Sequence, residues 1–375
     1  MKVRMQGRVA SVLSIGRTAR LVILGSMALT MSAATVVPAE SAAWPHHHHH
    51  KKNRFEEIDL VSNIPGRARI TDPHLINPWG LSLSNKLWVS AADADLALVY
   101  TGGGNAGPIR KVPLEVEVEG GPTGQVFNKT RDFRIRSDGR SAPANRIFAT
   151  ESGTIQGWNP DVDRDHAIVA ATKKDAVYKG LTQIRTRTRN LLLAADFFHG
   201  TVDVYNKNFK LQKRPKFVDP NIPDGFSPFN VQRIGHKVFV TYAKQDPEDP
   251  GEEVKGAGLG FVSFFTSRGG FIHRFHSRGP LNAPWAVTLA PRNFGKFQHS
   301  LLIGNFGDGR INAFNRFNGR FQGPLRDPHG DPISIDGLWG LIRGNSNNGG
   351  RNALWFAAGI NDEEDGLLGL IRRDP

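Results

Sequence analysis

Two sets of residues in this chain have the types and spacing to do chemistry. Tryptophans stand ahead of glycine or alanine in N-P-W-G-L (Asn77 to Leu81), A-P-W-A-V (Ala283 to Val287) and G-L-W-G-L (Gly337 to Leu341). Acids recur behind apolar runs, at Asp93, Glu151, Asp196, Asp246, Asp308 and the run Asp362 to Asp365. Asn77, Asn230, Asn282, Asn305 and Asp336 lie near one motif or the other. An aromatic set can stack a sugar or an apolar ligand, and a ring of side-chain oxygens can accept its hydrogen bonds or hold Ca²⁺. The candidate ligand-binding set is therefore Trp79, Trp285, Trp339, Asp196, Asn305, Asp308, Asp336 and His199. His199 follows Asp196 by three residues in D-F-F-H-G, and a histidine beside an acid can act as a general base. His74 is the other histidine expected near that face. The same residue types also have a plain structural use. Tryptophans at a repeated position pack neighbouring units, and Asp or Asn in a turn caps its own backbone.

Much other chemistry is excluded. With no cysteine, the chain cannot carry disulfides, an Fe–S cluster, a thiolate zinc site or a cysteine nucleophile. No G-x-S-x-G elbow and no H-E-x-x-H motif occurs. G-G-G-N-A-G at Gly102 to Gly107 matches a dinucleotide fingerprint in letters only. It leads from strand to strand and reads as a hairpin turn. Asp161, Asp163 and Asp165 alternate like a Ca²⁺ loop, but His166 stands where glycine is required and Thr172 where glutamate is required. Asp246 to Glu253, with five acids and two prolines, reads as a solvated loop that can cover the candidate face.

The elements that position these residues follow from a repeat. Each copy opens on Pro, aromatic or Lys, then Gly or a small residue, and continues into an apolar strand, a turn with an acid, and a second alternating strand. Copies open at Pro78, Pro122, Tyr178, Pro228, Pro284 and Leu338, which leaves roughly 50 residues per unit, the size of a four-stranded propeller blade. The 41 glycines suit many tight turns, and no long window has helical periodicity. The expected fold is all-β, a six-bladed β-propeller over residues 55–375. Each opening motif forms an innermost strand. Outer strands are expected at Arg110 to Leu114, Ala167 to Ala171 and Phe271 to Phe275. F-E-E-I-D-L-V at Phe55 to Val61 supplies the outer strand missing from the last unit and closes the ring.

Residues 1–43 read as a signal peptide, with a basic start, an uncharged stretch from Leu21 to Val37, and Ser41 and Ala43 at the cleavage positions before Trp44. Residues 44–54 form a His/Lys-rich linker containing His46 to His50, native or tag. The expected product is secreted or periplasmic, monomeric, and without a membrane span once the signal is removed. The full chain carries a net charge of +13, and removing residues 1–43 leaves +9. Such a charge draws a protein to anionic polymers non-specifically. With basic residues scattered and no DNA-binding motif present, nucleic acid is not an expected partner. Asn128-Lys129-Thr130 is a glycosylation sequon, set aside because the leader and the missing cysteines look bacterial.

D-P-H-L-I-N-P-W-G-L, A-D-F-F-H-G-T-V-D-V-Y, Y-A-K-Q-D, G-N-F-G-D-G-R-I-N-A-F and N-D-E-E-D-G-L-L-G resemble an uncharacterised family of exported bacterial β-propeller proteins, some of which carry a PEP-CTERM sorting tail. That resemblance implies the fold and assigns no catalytic residue. A wider likeness is to NHL-like and gluconolactonase-like propellers. It implies a central Ca²⁺ held by Asn or Asp just before the opening glycine. Here those places hold Trp79, Thr123, Lys179, Phe229, Trp285 and Trp339, so any Ca²⁺ would need the turn acids instead. The expected function is a binding module for a small molecule, glycan or protein. The alternatives are a Ca²⁺-dependent hydrolase or lactonase using His74 or His199 as base, and a structural envelope protein. No cofactor is required by the residues, and Ca²⁺ is the one they allow.

Overall fold

The computed structural model describes residues 53–186 and 188–374. The leader and most of the linker therefore lie outside the described residues. Within them the chain is all-β, with only two three-residue 3-10 turns, and its arrangement is β-propeller-like.

The six opening motifs form the strands Pro78–Leu83, Pro122–Phe127, Tyr178–Arg185, Phe226–Ile234, Pro284–Leu289 and Leu338–Arg343. Each pairs antiparallel with the strand that follows it in its repeat. A small cavity of about 70 Å³ is lined by residues of all six, so they surround one central channel. Glycine is required where these strands meet. A Cβ at Gly80 would strike the Thr123 carbonyl, and one at Gly340 the Trp79 carbonyl, so only a hydrogen fits.

Outside these strands the sheets grow outward. Tyr178–Arg185, Asn190–Asp196, Thr201–Tyr205 and Leu211–Gln212 form one four-stranded sheet, and the strands from Pro284 to Pro324 form another. Strands between Phe226 and Ser277 make a sheet of five. The first two repeats depart from the expected separate sheets. Their eight strands join in one sheet, because the outer strands Arg110–Glu117 and Asp163–Thr172 are long enough to meet at a parallel bridge between Glu117 and His166, and Asn348–Gly349 of the last repeat adds a ninth. A small hairpin, Arg134–Ser137 with Arg140–Pro143, is inserted after the second inner strand.

Phe55–Ser62 pairs antiparallel with Asp365–Arg373, from Phe55 opposite Arg373 to Ser62 opposite Leu367. The N-terminal strand thus covers the edge of the last sheet, where open backbone groups would otherwise invite another chain.

Sheet packing explains why strands such as L-L-L-A-A are apolar on both faces. Leu192 and Ala194 pack with Ile147, Ala149 and Ile155 of the preceding repeat. Leu191, Leu193 and Ala195 pack with Val231, Val238 and Val240 of the next. A strand squeezed between two sheets has no solvent face, so alternation gives way to a continuous apolar run. Each leucine so buried stabilises the fold by roughly 1.5–3 kcal/mol.

Candidate functional site

The inner strands share one irregularity, and it builds the site. Pairing skips a residue, or two, just inside each opening. Pro228 pairs with Tyr242 and Asn230 with Thr241, leaving Phe229 unpaired. Lys179, Trp285 and Trp339 are passed over in the same way. Trp79 and Thr123 lie within two-residue gaps. A bulge re-aims the side chain of its extra residue. Here the result is a plug across the upper mouth of the channel. The Trp339 ring lies between Trp79 at 3.4 Å and Phe306 at 3.9 Å, both nearly parallel to it. Trp285 meets Trp79 and Trp339 edge-on at 6.2 and 5.9 Å. Phe229 packs on Trp339 at 5.6 Å.

The structure therefore brings Trp79, Trp285 and Trp339 together, as expected, but not as an open stacking surface. Their exposures are 1%, 6% and 0%, and their faces are taken by one another and by Phe306. Even the indole N–H groups are used. Trp79 and Trp339 both donate to Asn77 Oδ1, at 2.9 and 3.1 Å, and Trp285 donates to the Lys179 carbonyl at 2.8 Å. Ring stacking with a ligand is corrected to self-packing, because five bulky residues aimed at one narrow axis fill it.

Of the expected oxygen ligands, Asp196, Asn305, Asp308 and Asp336 are not drawn to this plug. Asp196 is wholly buried at the flank of its sheet, accepting from Lys173 Nζ at 2.7 Å and contacting His199 Nδ1 at 2.9 Å. Lys173 continues to Asp203, which also receives the Tyr178 hydroxyl. Asp308 accepts from Asn305 Nδ2 at 2.9 Å and from the Arg310 backbone, while Asn305 also donates to the Pro280 carbonyl. Asp336 is exposed and accepts the Asn361 backbone N–H. Asp196, Asn305, Asp308, Asp336 and His199 thus serve their own turns and adjoining loops, as Asp and Asn commonly do.

Other acids occupy the upper mouth, Glu151 and Glu363 of the expected rim among them. Lys179, 1% exposed, points its ammonium at Glu253 (3.0 Å), Glu252 (3.5 Å) and Glu151 (3.6 Å). Below it lie the rings of Trp79, Phe197 and Phe229, 5.4 to 5.9 Å away, where a cation is attracted to the π-faces. Burial alone would lower the Lys179 pKa, but the surrounding carboxylates outweigh it and raise it. Burial raises the Glu253 carboxyl against the pull of Lys179, and raises Glu151 likewise, with Asp93 adding negative potential. Glu363 joins the group through Asn77, whose amide donates to its Oε2 at 2.8 Å. Burial, reinforced by the charge of Glu253, pushes Glu363 up to about 7. Lys255, whose ammonium lies 4.4 Å over the Phe306 ring, is the second cation nearby.

Sequence reasoning placed Lys179 at its opening position without giving it a role. The available signal was a charged residue where the other copies put Trp, Thr or Phe. Glu252 and Glu253 end the acidic loop that was expected to cover this face. Their contact with Lys179 spans over seventy residues, and no local pattern announces it.

His74 is drawn elsewhere. Its Nδ1 lies 2.9 Å from Glu115, and with Asp72 these residues form a group whose ligand atoms lie within 4.8 Å of one another, close enough to surround a metal ion. The Lys111 ammonium already sits among them, 2.6 Å from Asp72 and 2.5 Å from Glu115. A metal ion there would have to displace it. Among the other motifs, Asp163 Oδ1 accepts the backbone N–H groups of Asp165 and His166, a turn cap. Asn128 is buried, with its amide donating to the Asp132 and Ala144 carbonyls, so it is committed to a loop anchor.

No established protein-family profile matches the chain. Uncharacterized protein R648 of Acanthamoeba polyphaga mimivirus is 35% identical over 328 residues, covering 84% of this chain and 79% of that protein. Uncharacterized protein L690 of the same virus is 34% identical over 330 residues, covering 84% and 85%. Among solved structures, a complex of the GH93 α-L-arabinofuranosidase of Fusarium graminearum with arabinobiose aligns with a TM-score of 0.51 at 9% identity, over 86% of this chain and 98% of that one. At that identity the likeness shows the fold alone. The relatives are viral, which overturns the expected kinship with exported bacterial propellers and PEP-CTERM proteins. The motifs that suggested it encode strands and turns of the fold, not an origin. With such identity sustained over most of both chains, this protein belongs to the same family as the mimivirus proteins R648 and L690.

Proposed function

We propose that the protein is an interaction module, a six-bladed β-propeller whose upper mouth receives a cationic group of a partner, such as a lysine or arginine side chain. Six bulged inner strands, six repeat openings and the N-terminal closing strand support that blade count. The observation that carries the binding reading is the charge balance at the mouth. Glu151, Glu252, Glu253 and Glu363 gather around Lys179, with Lys255 as the second cation nearby. Surplus acid held partly out of water gains by neutralisation, and a ligand cation supplies it. The aromatic plug is the rigid floor of this site. Export, read from residues 1–43, is part of the same proposal.

Thermal unfolding with a hexa-arginine peptide tests it, because a ligand bound only by the folded state raises the midpoint. A rise that is lost in Glu252→Gln/Glu363→Gln supports the reading. A rise with Ca²⁺ alone, reversed by EDTA, would move the case to a metal-dependent hydrolase. No rise with either would leave the acid cluster a structural device.

A further inference from the structure

The lower end of the channel has the opposite chemistry. Two cavities of about 450 and 700 Å³ open there, and they share Leu83, Gln232, Arg233, Gly235 and Ile342, so they form one basin. The small axial cavity leads up from it to the underside of Trp285. Six cationic side chains line the basin: Lys129, Arg185, Arg233, Arg292, Arg343 and Arg351. No Asp or Glu lines any of the three cavities. Lys129, Arg185, Arg292, Arg343 and Arg351 are exposed, and none of the six makes a salt bridge with an acid among the described residues.

The topology gathers them. Inner strands run from the plug to the lower mouth, so their last residues ring that mouth. Arg185 and Arg343 end two inner strands, Arg233 is next to last in a third, and Lys129 and Arg292 follow shortly after two others. These positions are far apart in sequence and look scattered until the fold brings them to one place.

We propose that this basin binds a compact, multiply charged oxyanion, a polyphosphorylated small molecule. Guanidinium groups present paired N–H donors that match phosphate oxygens two at a time. Five arginines and a lysine facing one concavity with no acid to balance them raise the local concentration of anions. The basin is concave and lies on the axis. Its volume suits a compact ligand, which can meet several guanidiniums at once, whereas a stiff duplex would touch only the rim.

Calorimetric titration of the protein with inositol hexakisphosphate at physiological salt is the test. Expected is one saturable site whose affinity falls roughly tenfold or more in Arg233→Gln/Arg343→Gln. The control is Lys174→Gln/Lys210→Gln, which removes the same charge from exposed positions outside the basin. Its affinity should stay within about twofold of the parent. Sodium tripolyphosphate should compete, and citrate at equal charge should compete poorly. No binding, an equal loss in the control, or tighter binding of a short DNA duplex than of the phosphorylated probe would overturn the proposal. Ligand-free unfolding midpoints of both variants show whether they are folded.

Discussion

The two mouths of the channel are built from opposite ends of the same six strands, yet they differ in almost every physical respect. The upper mouth is closed, dry at its floor and acidic. Its aromatic rings pack on one another, and its lysine is buried among carboxylates. The lower mouth is open and basic, and its cations make no salt bridges with acids among the described residues. The bulge explains the asymmetry. At the openings it aims large side chains inward, where they fill the channel. The other ends of the strands pair regularly, so their polar residues line a space that stays open. In the upper mouth a cation is already buried among the acids, so its charges bear on stability as well as on the proposed capture of a partner's cation, whereas the lower cations bear on the proposed anion site alone.

Replacing the buried cation should test that division most severely. Lys179→Met leaves Glu253 and its neighbours without their counter-charge, and breaking a buried ion cluster typically costs about 3–5 kcal/mol. Equilibrium unfolding at pH 7.5 should show the loss. It should shrink at pH 5, where the stranded carboxyls take up protons. An unchanged midpoint would mean the upper mouth is as solvated as the lower.

A second, smaller effect sharpens the role of the plug. Trp339→Phe keeps a ring between Trp79 and Phe306 but opens a gap and removes the hydrogen bond to Asn77. A loss of about 2 kcal/mol in denaturant unfolding is expected. Neutral behaviour would show that the rings are not packed as a unit.

The third prediction concerns pH. The Glu363 carboxyl titrates at about 7 in the folded protein, against an ordinary value of 4.5. Its contribution to stability is therefore full below about pH 4.5 and is lost as the pH rises through 7. Glu363→Gln, which mimics the protonated form, should be more stable than the parent at pH 8 by on the order of 1–2 kcal/mol, and no more stable at pH 4.5. Glu57, also raised to about 7 by burial and by Asp59, keeps part of the pH dependence in that variant. Equal stability of variant and parent at pH 8 would place Glu363 in free solvent.

The smallest effect is expected at the lower mouth. Arg343→Gln should change the ligand-free stability by no more than about 0.5 kcal/mol, as surface substitutions do. A loss comparable to that of Lys179→Met would erase the contrast between the mouths.

The fold was more legible in the sequence than the site. Pro-Trp-Gly at Pro78 and Leu-Trp-Gly at Leu338 announced inner strands, because tight packing about an axis demands small residues beside one large one. F-E-E-I-D-L-V read as a closing strand, and it pairs with Asp365–Arg373. The bulges were not legible, since register is set between strands and not along one. For that reason Trp79, Trp285 and Trp339 were rightly grouped but wrongly opened to a ligand. Asp196 and Asp308 carried the same turn signal as Glu151, and nothing local separates an acid that caps its own turn from one that reaches a lysine. The lower cations, from Lys129 to Arg351, were hidden for the same reason. Their basin exists only after six strand ends converge.

One measurement joins these points. Unfolding midpoints would be recorded for the parent, Lys179→Met and Arg233→Gln/Arg343→Gln, each with and without inositol hexakisphosphate. If the mouths are divided as described, Lys179→Met lowers the midpoint but keeps the increment from the ligand. The arginine variant then keeps the parent midpoint and loses the increment. If instead the increment survives in the arginine variant, or vanishes in a folded Lys179→Met protein, the assignment of the anion site to the lower mouth, separate from the acidic upper mouth, is wrong.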